Sequence, residues 1–441
     1  MIAATAAVQA TSGRRFLAVL ALAAAVAVPH TGGAQDASRQ IMLGVAGTIR
    51  SEILNEDREL QITLPESYSR TTISYPVLYL LDGSSNLLHA TATTRFLAAA
   101  RNRIPEMIVV AIPNTNRNRD LTPGPGAVTF ERFLGQELIP WVERTYRAAP
   151  ERILWGHSLS GSFTVHALLN QPSLFDAYIA ASAPVWRYDS LARDIRAGFA
   201  PAAKAGTTVD LSVGERESPQ MRGGITTLVD ALKAAAPGTA PNWSFDDLVG
   251  EDHSSTKQRS LYYALERRYA EWRPPYFETR AELDSIGGLK ALEAHYERFS
   301  KRLGYTNPLP MDLVLQVGQI YLASERHADV VTLANAYAAP YPGAAENLVN
   351  QVGYDLLRRG QLERAVEVFK KNAAAFPASP NVHDSLGDAY CRAGNAALGQ
   401  QSYQAAVRAA EARTPQPARL SWYRDKAAKG CAPSDTSRLR L

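Results

Sequence analysis

One serine carries the clearest chemical signal in the chain. Ser158 lies in the segment 156–161, whose letters are GHSLSG, between an apolar run that ends at Trp155 and a helix-like stretch over 163–169. A serine on a sharp strand-to-helix turn is exposed for nucleophilic attack, and the helix N-terminus stabilises developing negative charge. The usual pattern is Gly-x-Ser-x-Gly, but Ser160 occupies the second glycine position. On the motif alone, a catalytic turn and a structural turn both remain open.

A catalytic serine needs a histidine to remove its proton, and His253 is the best of the 8 histidines in the chain. It follows an extended apolar segment, 243–249, in a loop at a strand end, where functional residues concentrate in α/β proteins. His166 is eight residues beyond Ser158 on one helix, about 12 Å away at 1.5 Å per residue, which is too far for direct transfer. The side chain of His157 points away from its neighbour in a tight turn. His89 stays open as an alternative, whereas four others lie in a leader or a later helical region: His30, His295, His327 and His383.

The third member of such a site is a carboxylate that holds the histidine. In α/β-hydrolases it falls between the serine and the histidine along the chain. The apolar segment 209–213 predicts a strand, and the loop after it carries Glu215 and Glu217. We prefer Glu217, with Glu215 as the second choice; both would be ordinary loop charges if the site were elsewhere. Four acidic residues nearer His253 compete for the role: Asp246, Asp247, Glu251 and Asp252.

Backbone amides must also stabilise the oxyanion that forms during acyl transfer. The residue after the nucleophile, Leu159, supplies one amide, and a loop after an early strand usually supplies the other. The buried-strand pattern 76–81 ends in a turn that contains Gly83 and Ser84, so these two residues are the candidates. An ordinary strand-to-helix turn would have the same sequence.

Substrate contacts are predicted from position and charge. His89 and Trp186 each lie a few residues beyond a predicted strand end, so each is expected to line the pocket or to lie in the core. Arg119, together with Arg117 and Arg216, is a candidate for binding an anionic substrate, although surface arginines are commonly just solvated.

Several segments together resemble one enzyme family. They are 78–83 (LYLLDG), 108–115 (IVVAIPNT), 119–123 (RDLTP), 156–161 (GHSLSG) and 250–253 (GEDH). In this order they are similar to the esterase family of α/β-hydrolases that includes the enterobactin and salmochelin (siderophore) esterases. That family is related to the S-formylglutathione hydrolases and mycolyltransferases.

The resemblance covers about residues 45 to 270. Carried over to matching positions, it implies Ser158 as nucleophile, His253 as base and Glu217 as acid. It also implies hydrolysis or acyl transfer at a carboxylic ester, with the acyl group bound covalently to the serine as an intermediate. Ser160 departs from the family pattern and leaves the geometry of the turn in question.

The elements that position these residues alternate along the first part of the chain. This alternation predicts a mainly parallel sheet with helices on both faces. The resemblance implies that this sheet has the α/β-hydrolase fold. Residues 41–56 are expected to add a strand or hairpin at one edge, and a helix over 257–272 closes the pattern. The predicted strands are 59–64, 76–81, 107–112, 152–155, 177–182, 208–213 and 243–249.

A helical region with an internal repeat follows a Pro-rich break at Trp272. Gly353 and Gly387 are 34 residues apart, and so are Phe369 and Tyr403, which is the period of tetratricopeptide (TPR) repeats. About three helix pairs are expected. They would offer a concave surface to a peptide or protein partner, or simply form a cap on the hydrolase.

The first 34 residues resemble a signal peptide, because two arginines precede an apolar run over 16–28 and small residues follow it. We therefore expect export to a bacterial periplasm or the medium. The predicted organisation is a signal peptide (1–34), an α/β-hydrolase domain (35–272), a TPR-like domain (273–430) and a tail (431–441). Cys391 and Cys431 are the 2 cysteines, and an oxidising compartment would allow a disulfide between them.

Composition narrows the function further. The formal charge of +4 gives no basic excess suited to nucleic acid, and no later stretch predicts a membrane span. No metal-ligand cluster or phosphate-binding loop is evident, so we expect no cofactor and no metal. The main prediction is an exported serine esterase acting on a small-molecule ester. The alternatives are an acyltransferase of the same fold and a TPR-type interaction protein with a catalytically weak hydrolase scaffold.

Overall fold

The central element is a sheet of eight strands in the order β1-β2-β4-β3-β5-β6-β7-β8, within the residues that the structure describes. The computed structural model describes residues 42–99, 102–197, 206–235 and 241–431. β1 pairs antiparallel with β2 and β2 with β4, whereas all other neighbouring strands are parallel. The strands are β1 (Val45–Ser51), β2 (Glu56–Thr63), β3 (Tyr75–Leu80), β4 (Ile108–Ala111), β5 (Ala148–His157), β6 (Ala177–Ala181), β7 (Thr208–Gly214) and β8 (Asn242–Leu248).

Helices connect the strands and cover both faces of the sheet. They are α1 (Gly83–Ala99), α2 (Arg117–Leu121), α3 (Pro125–Phe133), α4 (Ile139–Thr145), α5 (Leu159–Asn170), α6 (Asp189–Ala197), α7 (Pro219–Ala234) and α8 (Thr256–Arg268). A π-helical turn over Leu134–Leu138 joins α3 to α4, and short 3-10 turns lie at Tyr68–Arg70 and Val185–Arg187. This architecture confirms the predicted fold class.

Each predicted strand lies on an observed one. Three of the inner strands, β3, β4 and β6, are buried at every position and are therefore continuous apolar runs in the sequence. β5 begins at Ala148, earlier than predicted, because Ala148 still pairs with Tyr75 across a shift in register. The expected edge strand is β1, which pairs with β2. α8 ends at Arg268, a few residues before the predicted end at 272.

A second set of helices follows the sheet. It consists of α9 (Arg280–Ser285), α10 (Gly288–Leu303), α11 (Met311–Ala323), α12 (His327–Ala336), α13 (Pro342–Arg358), α14 (Leu362–Ala375), α15 (Pro380–Arg392), α16 (Ala396–Glu411) and α17 (Leu420–Lys429). The chain from Leu43 onward forms one compact unit that includes these helices.

Consecutive helices form pairs with equivalent contacts, which confirms a helical repeat region. A Cβ atom on Gly353 would lie 2.4 Å from the ring of Phe369, and one on Gly387 would lie 2.4 Å from the ring of Tyr403. The absence of a side chain therefore lets α13 approach α14, and α15 approach α16, by the same close contact. The finer assignment to TPR repeats stays a prediction.

The sheet and the helical region share one hydrophobic core. The cluster joins Leu78 and Trp155 of the sheet, Leu265 of α8, and Tyr296 and Leu313 of the helical region. Burial of apolar area at this boundary stabilises both parts, at about 25 cal/mol for each Å² removed from water.

A buried ion pair lies at the same boundary. Arg268 at the end of α8 pairs with Glu151 of β5 at 2.8 Å, and the hydroxyl of Tyr305 donates to Glu151 at 3.0 Å. Both charged side chains are almost fully buried, so each depends on the other for its stability.

The ends of the chain are only partly described. The predicted signal peptide, 1–34, and the tail after residue 431 lie outside the described residues. Cys391 and Cys431 form a disulfide that ties the last described residue to α15. Among the described helices, none combines the length and the apolar character needed to cross a bilayer.

Candidate active site

Ser158 lies at the junction of β5 and α5 with a strained backbone, φ 58° and ψ −124°. The neighbouring residues are small because the turn is crowded. A Cβ atom on Gly156 would lie 2.2 Å from the carbonyl oxygen of Ser160, and one on Gly161 would lie 2.9 Å from that of Ala181. This is the geometry that exposes a nucleophile above the end of a parallel sheet. Ser160 fits where the usual motif has glycine.

The structure brings the three predicted catalytic residues together. Nε2 of His253 lies 3.0 Å from Oγ of Ser158, and Nδ1 of His253 lies 2.8 Å from Oε2 of Glu217. When Nδ1 carries the proton and donates to Glu217, Nε2 is free to accept the proton of the serine. The arrangement can therefore perform nucleophilic attack with general-base assistance.

Two groups besides His253 donate hydrogen bonds to the carboxylate of Glu217. Its Oε1 accepts hydrogen bonds from Oγ of Ser182 at 2.6 Å and from the amide of Gly214 at 2.9 Å. Burial alone would raise the pKa of Glu217, but the hydrogen bonds from His253, Ser182 and Gly214 outweigh it and lower that pKa below its usual value. The carboxylate is thus ionised and fixed in place at neutral pH.

The competing carboxylates have other partners. Glu215, the second choice from the sequence, is exposed and accepts from the amide of Gly250 at 2.7 Å. Asp252 accepts from the amides of its own loop at Ser254 and Ser255. The remaining three pair with arginines: Glu251 with Arg259, Asp246 with Arg267, and Asp247 with Arg222.

Two backbone amides remain as oxyanion donors, and one predicted donor is wrong. Leu159 is the first residue of α5, and Ser84 lies in the first turn of α1, where amides have no acceptor within the helix. Gly83 was the other candidate, but its amide donates to the carbonyl of Ile112 at 2.9 Å. Gly83 therefore closes the turn between β3 and α1 and cannot also bind an oxyanion.

Asp82, the residue between β3 and α1, was not among the site residues predicted from the sequence. Its carboxylate is largely buried and accepts hydrogen bonds from Ser160 at 2.8 Å, Asn114 at 2.6 Å and Arg117 at 2.6 and 2.9 Å. Its backbone is in the left-handed region, with φ 52°. A lone Asp-Gly pair after a strand carries no signal for these contacts.

His157 was also missed as a partner of the site. Its Nε2 lies 2.6 Å from the carbonyl oxygen of His253, to which it donates, and the two rings lie 4.6 Å apart. Burial, and secondarily the charge of His253 when protonated, lowers the pKa of His157 to about 4. His157 is therefore neutral at physiological pH and holds the loop that carries His253.

A polar pocket of about 380 Å³ lies beside the loop of His253. His89 lines it, as predicted, while its ring also packs edge-on against buried Trp155. Burial lowers the pKa of His89 to about 4, and its Nδ1 has no hydrogen-bond partner among the described residues. Lys257 lines the same pocket. Its ammonium group has no ion-pair partner among the residues that the structure describes.

Trp186 lies in the short turn after β6, near Ser182, which contacts Glu217. The tryptophan is 37% exposed, and its ring packs where Gly224 of α7 leaves room, since a Cβ atom there would lie 2.7 Å from the ring. This position at the carboxyl end of the strands is consistent with a pocket wall.

Arg119 does not have the predicted free guanidinium group. It donates to both carboxylate oxygens of Glu56, at 3.0 and 2.6 Å, and to Asp120 at 2.6 Å. These partners draw the side chain toward β2, and the role of Arg119 in substrate binding stays a prediction. Arg117, two residues earlier, is the arginine that reaches the site, through Asp82.

No group of three or more metal-ligating side chains occurs among residues 42–99, 102–197, 206–235 and 241–431.

Residues 51–262 match the model of the family described as "Putative esterase". The chain is 33% identical over 195 residues to the siderophore enterobactin esterase of Emericella nidulans, covering 36% of this chain and 64% of that protein. It is 32% identical over 157 residues to the ferri-bacillibactin esterase BesA of Bacillus subtilis, covering 29% of this chain and 54% of that protein.

The fold also matches solved structures. An IroE-like serine hydrolase from Shewanella oneidensis superposes with a TM-score of 0.52 at 25% identity, covering 64% of this chain and 95% of that one. The chain thus spans about half to two thirds of the length of the two curated relatives and nearly all of this hydrolase.

Proposed function

We propose that this chain, whose residues 51–262 match the family model described as "Putative esterase", is an exported serine hydrolase that cleaves carboxylic esters through an acyl-enzyme. The family match and the esterase relatives support carboxylic-ester hydrolysis as the class of reaction. The observation that carries the mechanism is the continuous hydrogen-bonded line from Ser158 through His253 to Glu217.

In the first half of the reaction, His253 takes the proton of Ser158 while Oγ attacks the ester carbonyl. Glu217 stabilises the imidazolium that forms, and the amides of Leu159 and Ser84 bind the oxyanion. Collapse of the tetrahedral intermediate breaks the bond to the alcohol oxygen, which receives the proton from His253. The acyl group remains on Ser158 as an ester.

In the second half, water replaces the alcohol. His253 removes a proton from water, the hydroxide attacks the acyl-enzyme, and the proton returns to Ser158 as the acid leaves. The side chain of His253 is 43% exposed, so solvent reaches the base. This exposure favours hydrolysis over acyl transfer to a second alcohol, which requires a site that excludes water.

The pocket beside His253 suggests the kind of ester. Among the residues that the structure describes, Lys257 of this pocket has no ion-pair partner, whereas Glu251 is paired with Arg259. Lys257 and the neutral ring of His89 therefore suit a substrate that places an anionic or phenolic oxygen a short distance from the scissile carbonyl. Two relatives are named as siderophore esterases, so siderophore-type esters are the first class to test, with small acyl esters as the second.

Export is part of the proposal and is supported by two features. The sequence of residues 1–34 has the pattern of a signal peptide, and the Cys391–Cys431 disulfide is of a kind that persists in oxidising compartments. A bacterial periplasm or the medium is therefore the proposed location. The helical repeat region is proposed to cap the hydrolase and to offer a surface to a peptide or protein partner.

The test is covalent labelling of the purified protein with a fluorophosphonate probe, followed by intact-mass spectrometry. The wild type is expected to gain one adduct, and both Ser158→Ala and His253→Ala are expected to gain none. The same three proteins are then assayed for hydrolysis of p-nitrophenyl acetate, for which Ser158→Ala should fall to background. Unlabelled wild type with a native circular-dichroism spectrum, or an active Ser158→Ala variant, would reject the mechanism.

The substrate class is tested at Lys257. Lys257→Gln is expected to raise KM for a carboxylated aryl ester about 10-fold while changing KM for its neutral analogue by less than about 2-fold, since one charge-assisted hydrogen bond is lost. Lys257→Arg, which keeps the charge, is the matched control and should retain most of the preference. Equal effects of Lys257→Gln on both esters would remove Lys257 from substrate recognition.

A further inference from the structure

We propose that Asp82 and Ser160 form a positioning pair that holds the two sides of the oxyanion site, the turn at Ser158 and the first turn of α1, in fixed relation. Neither residue contacts the reacting atoms in this role. The inference rests on the proposed function, since it concerns the same reaction. It gives a positioning role to two residues outside the triad of Ser158, His253 and Glu217.

Ser160 is the position where the chain departs from the usual motif, and its hydroxyl group both accepts and donates a hydrogen bond. Oγ accepts from the amide of His157 at 2.9 Å. Its single proton has two acceptors at 2.8 Å, Oδ2 of Asp82 and the carbonyl oxygen of His157, of which the charged carboxylate is the stronger. The side chain is completely buried, so loss of the hydroxyl would leave both partners without a replacement from solvent. A glycine at this position could make neither hydrogen bond.

Asp82 is the only residue of the described chain that connects this turn by a side-chain hydrogen bond to the end of β3. It precedes Gly83 and Ser84, the first residues of α1. A shift of its backbone therefore moves the amide of Ser84 directly, whereas a shift of Ser160 moves the amide of Leu159. The contact between Asp82 and Ser160 thus links the supports of both oxyanion donors.

The carboxylate of Asp82 is itself fixed by strong donors. Arg117 binds it with Nε and Nη2, and Asn114 binds Oδ1. Burial would raise the pKa of Asp82, but the hydrogen bonds from Arg117, Asn114 and Ser160 outweigh burial and lower it. Asp82 is therefore charged at neutral pH, which strengthens its hydrogen bond from Ser160.

The helix that begins with Arg117 is anchored in turn. Asp120, at the other end of this short helix, forms a fully buried ion pair with Arg58 of β2 at 2.6 Å. The guanidinium group of Arg58 also lies 5.2 Å from the ring centre of Phe130. A continuous series of contacts thus runs from β2 through α2 to Asp82 and the turn at Ser158. These contacts restrict the movement of the site.

The test is a double-mutant cycle on ester hydrolysis with Ser160→Ala, Asp82→Asn and the double variant. Each single variant is expected to lower kcat about 10- to 100-fold with KM changed by less than about 2-fold, because alignment in the transition state is lost and ground-state binding is not. The double variant should be no slower than the slower single variant, since both substitutions break the same link.

Two further variants separate positioning from simple packing. Ser160→Gly restores the usual motif and is expected to remain as slow as Ser160→Ala. Ser162→Ala removes another buried hydroxyl of α5 whose Oγ has no hydrogen-bond partner in the described residues, and its kcat should stay within about 2-fold of wild type. Thermal melting accompanies each assay, and rates are compared at a temperature where every variant is folded.

The same measurements distinguish a failure of the positioning pair from a failure of the proposed esterase mechanism. In all variants the pH dependence of kcat/KM should keep the wild-type midpoint, because the contact between His253 and Glu217 is untouched. Wild-type kcat in Ser160→Ala, or additive losses in the double variant, would overturn the positioning pair while leaving the esterase intact. A wild-type protein that neither reacts with the fluorophosphonate nor hydrolyses esters would instead overturn the proposed function.

Discussion

At the scale of single residues, the site combines two partly exposed groups with several buried ones. Ser158 and His253 face solvent in part, whereas Glu217, Ser160 and Asp82 lie beneath them. Buried partners fix the orientation of the reacting groups because their hydrogen bonds do not compete with water. The residues that touch substrate can therefore be few, while the residues that hold them are many.

Replacement of Glu217 by glutamine is expected to lower kcat about 100- to 10,000-fold. The amide can no longer stabilise the imidazolium and favours the wrong tautomer of His253. KM should change little, because Glu217 does not face the substrate pocket. Steady-state hydrolysis of p-nitrophenyl acetate measures both constants.

Glu215→Gln is the matched control for this prediction. Its carboxylate lies two residues away but accepts from the amide of Gly250 and not from His253. The variant should keep kcat within about 2-fold of wild type. Loss of activity in Glu215→Gln together with a wild-type rate in Glu217→Gln would transfer the role of the acid to Glu215.

At the scale of elements, the helical repeats depend on close approach within each pair. Gly353→Ala would place a Cβ atom 2.4 Å from the ring of Phe369, which is completely buried and has no space to move. The expected cost is about 1 to 3 kcal/mol of unfolding free energy, seen as a lower melting temperature.

Gly343 of the same helix provides the comparison. No atom lies within 4 Å of a Cβ atom placed there. Gly343→Ala should therefore leave the melting temperature unchanged or raise it, because alanine favours the helix by up to about 1 kcal/mol. Equal melting temperatures for the two variants would argue against the tight packing of α13 on α14.

Between α3 and α5, a buried carboxyl introduces a pH dependence of stability. Burial raises the pKa of Glu131 to about 8, from the usual 4.5. The titratable groups near it are His166 of α5, 3.8 Å away, whose pKa is lowered by burial, and Tyr178 of β6. A neutral His166 does not compensate a charged Glu131.

The sign of this effect follows from proton binding. The folded state holds the proton of Glu131 more tightly than the unfolded state, so the penalty is absent below about pH 4.5 and complete above about pH 8. Glu131→Gln should match the wild type at pH 4.5 and exceed its unfolding free energy at pH 9 by about 2 to 4 kcal/mol, measured by urea denaturation. A difference that stays constant with pH would show that Glu131 is not buried as an acid.

At the scale of the whole molecule, the hydrolase and the helical region are joined by packing as well as by the chain. Trp272 lies between the rings of Tyr296 and Phe299, with both ring centres 5.0 Å from its own. Leu97 of α1 and Leu265 of α8 belong to the same buried cluster. The helices therefore cover a surface that the hydrolase would otherwise expose to water.

A chain that ends at residue 272 is accordingly expected to be poorly soluble and to bind a hydrophobic dye such as ANS, because the apolar faces of α1 and α8 lose their cover. Coexpression of residues 273–441 as a separate polypeptide should restore soluble protein and reduce dye binding. A truncated protein with full solubility and wild-type turnover would show that the helical region is a separate module.

The fold class and the candidate catalytic residues could be predicted from the sequence because the patterns that indicate them are local. The turn at Ser158, the apolar strands and the spacing of 34 residues between Gly353 and Gly387 each depend on neighbours along the chain. The order of Ser158, Glu217 and His253 was sufficient to propose a triad, because the carboxyl ends of parallel strands meet at one edge of the sheet.

The tertiary structure alone decided contacts between residues far apart in sequence. Ser160 reaches Asp82 across 78 positions, and Arg119 reaches Glu56 across 63. The engagement of the Gly83 amide by Ile112 likewise depends on how α1 leaves the sheet. The sequence by itself thus determined the fold class and the candidate catalytic residues, whereas packing selected the partner of each polar group. The physical reason is that hydrophobic periodicity acts over short segments, but a buried polar group is satisfied only by whatever the finished fold places beside it.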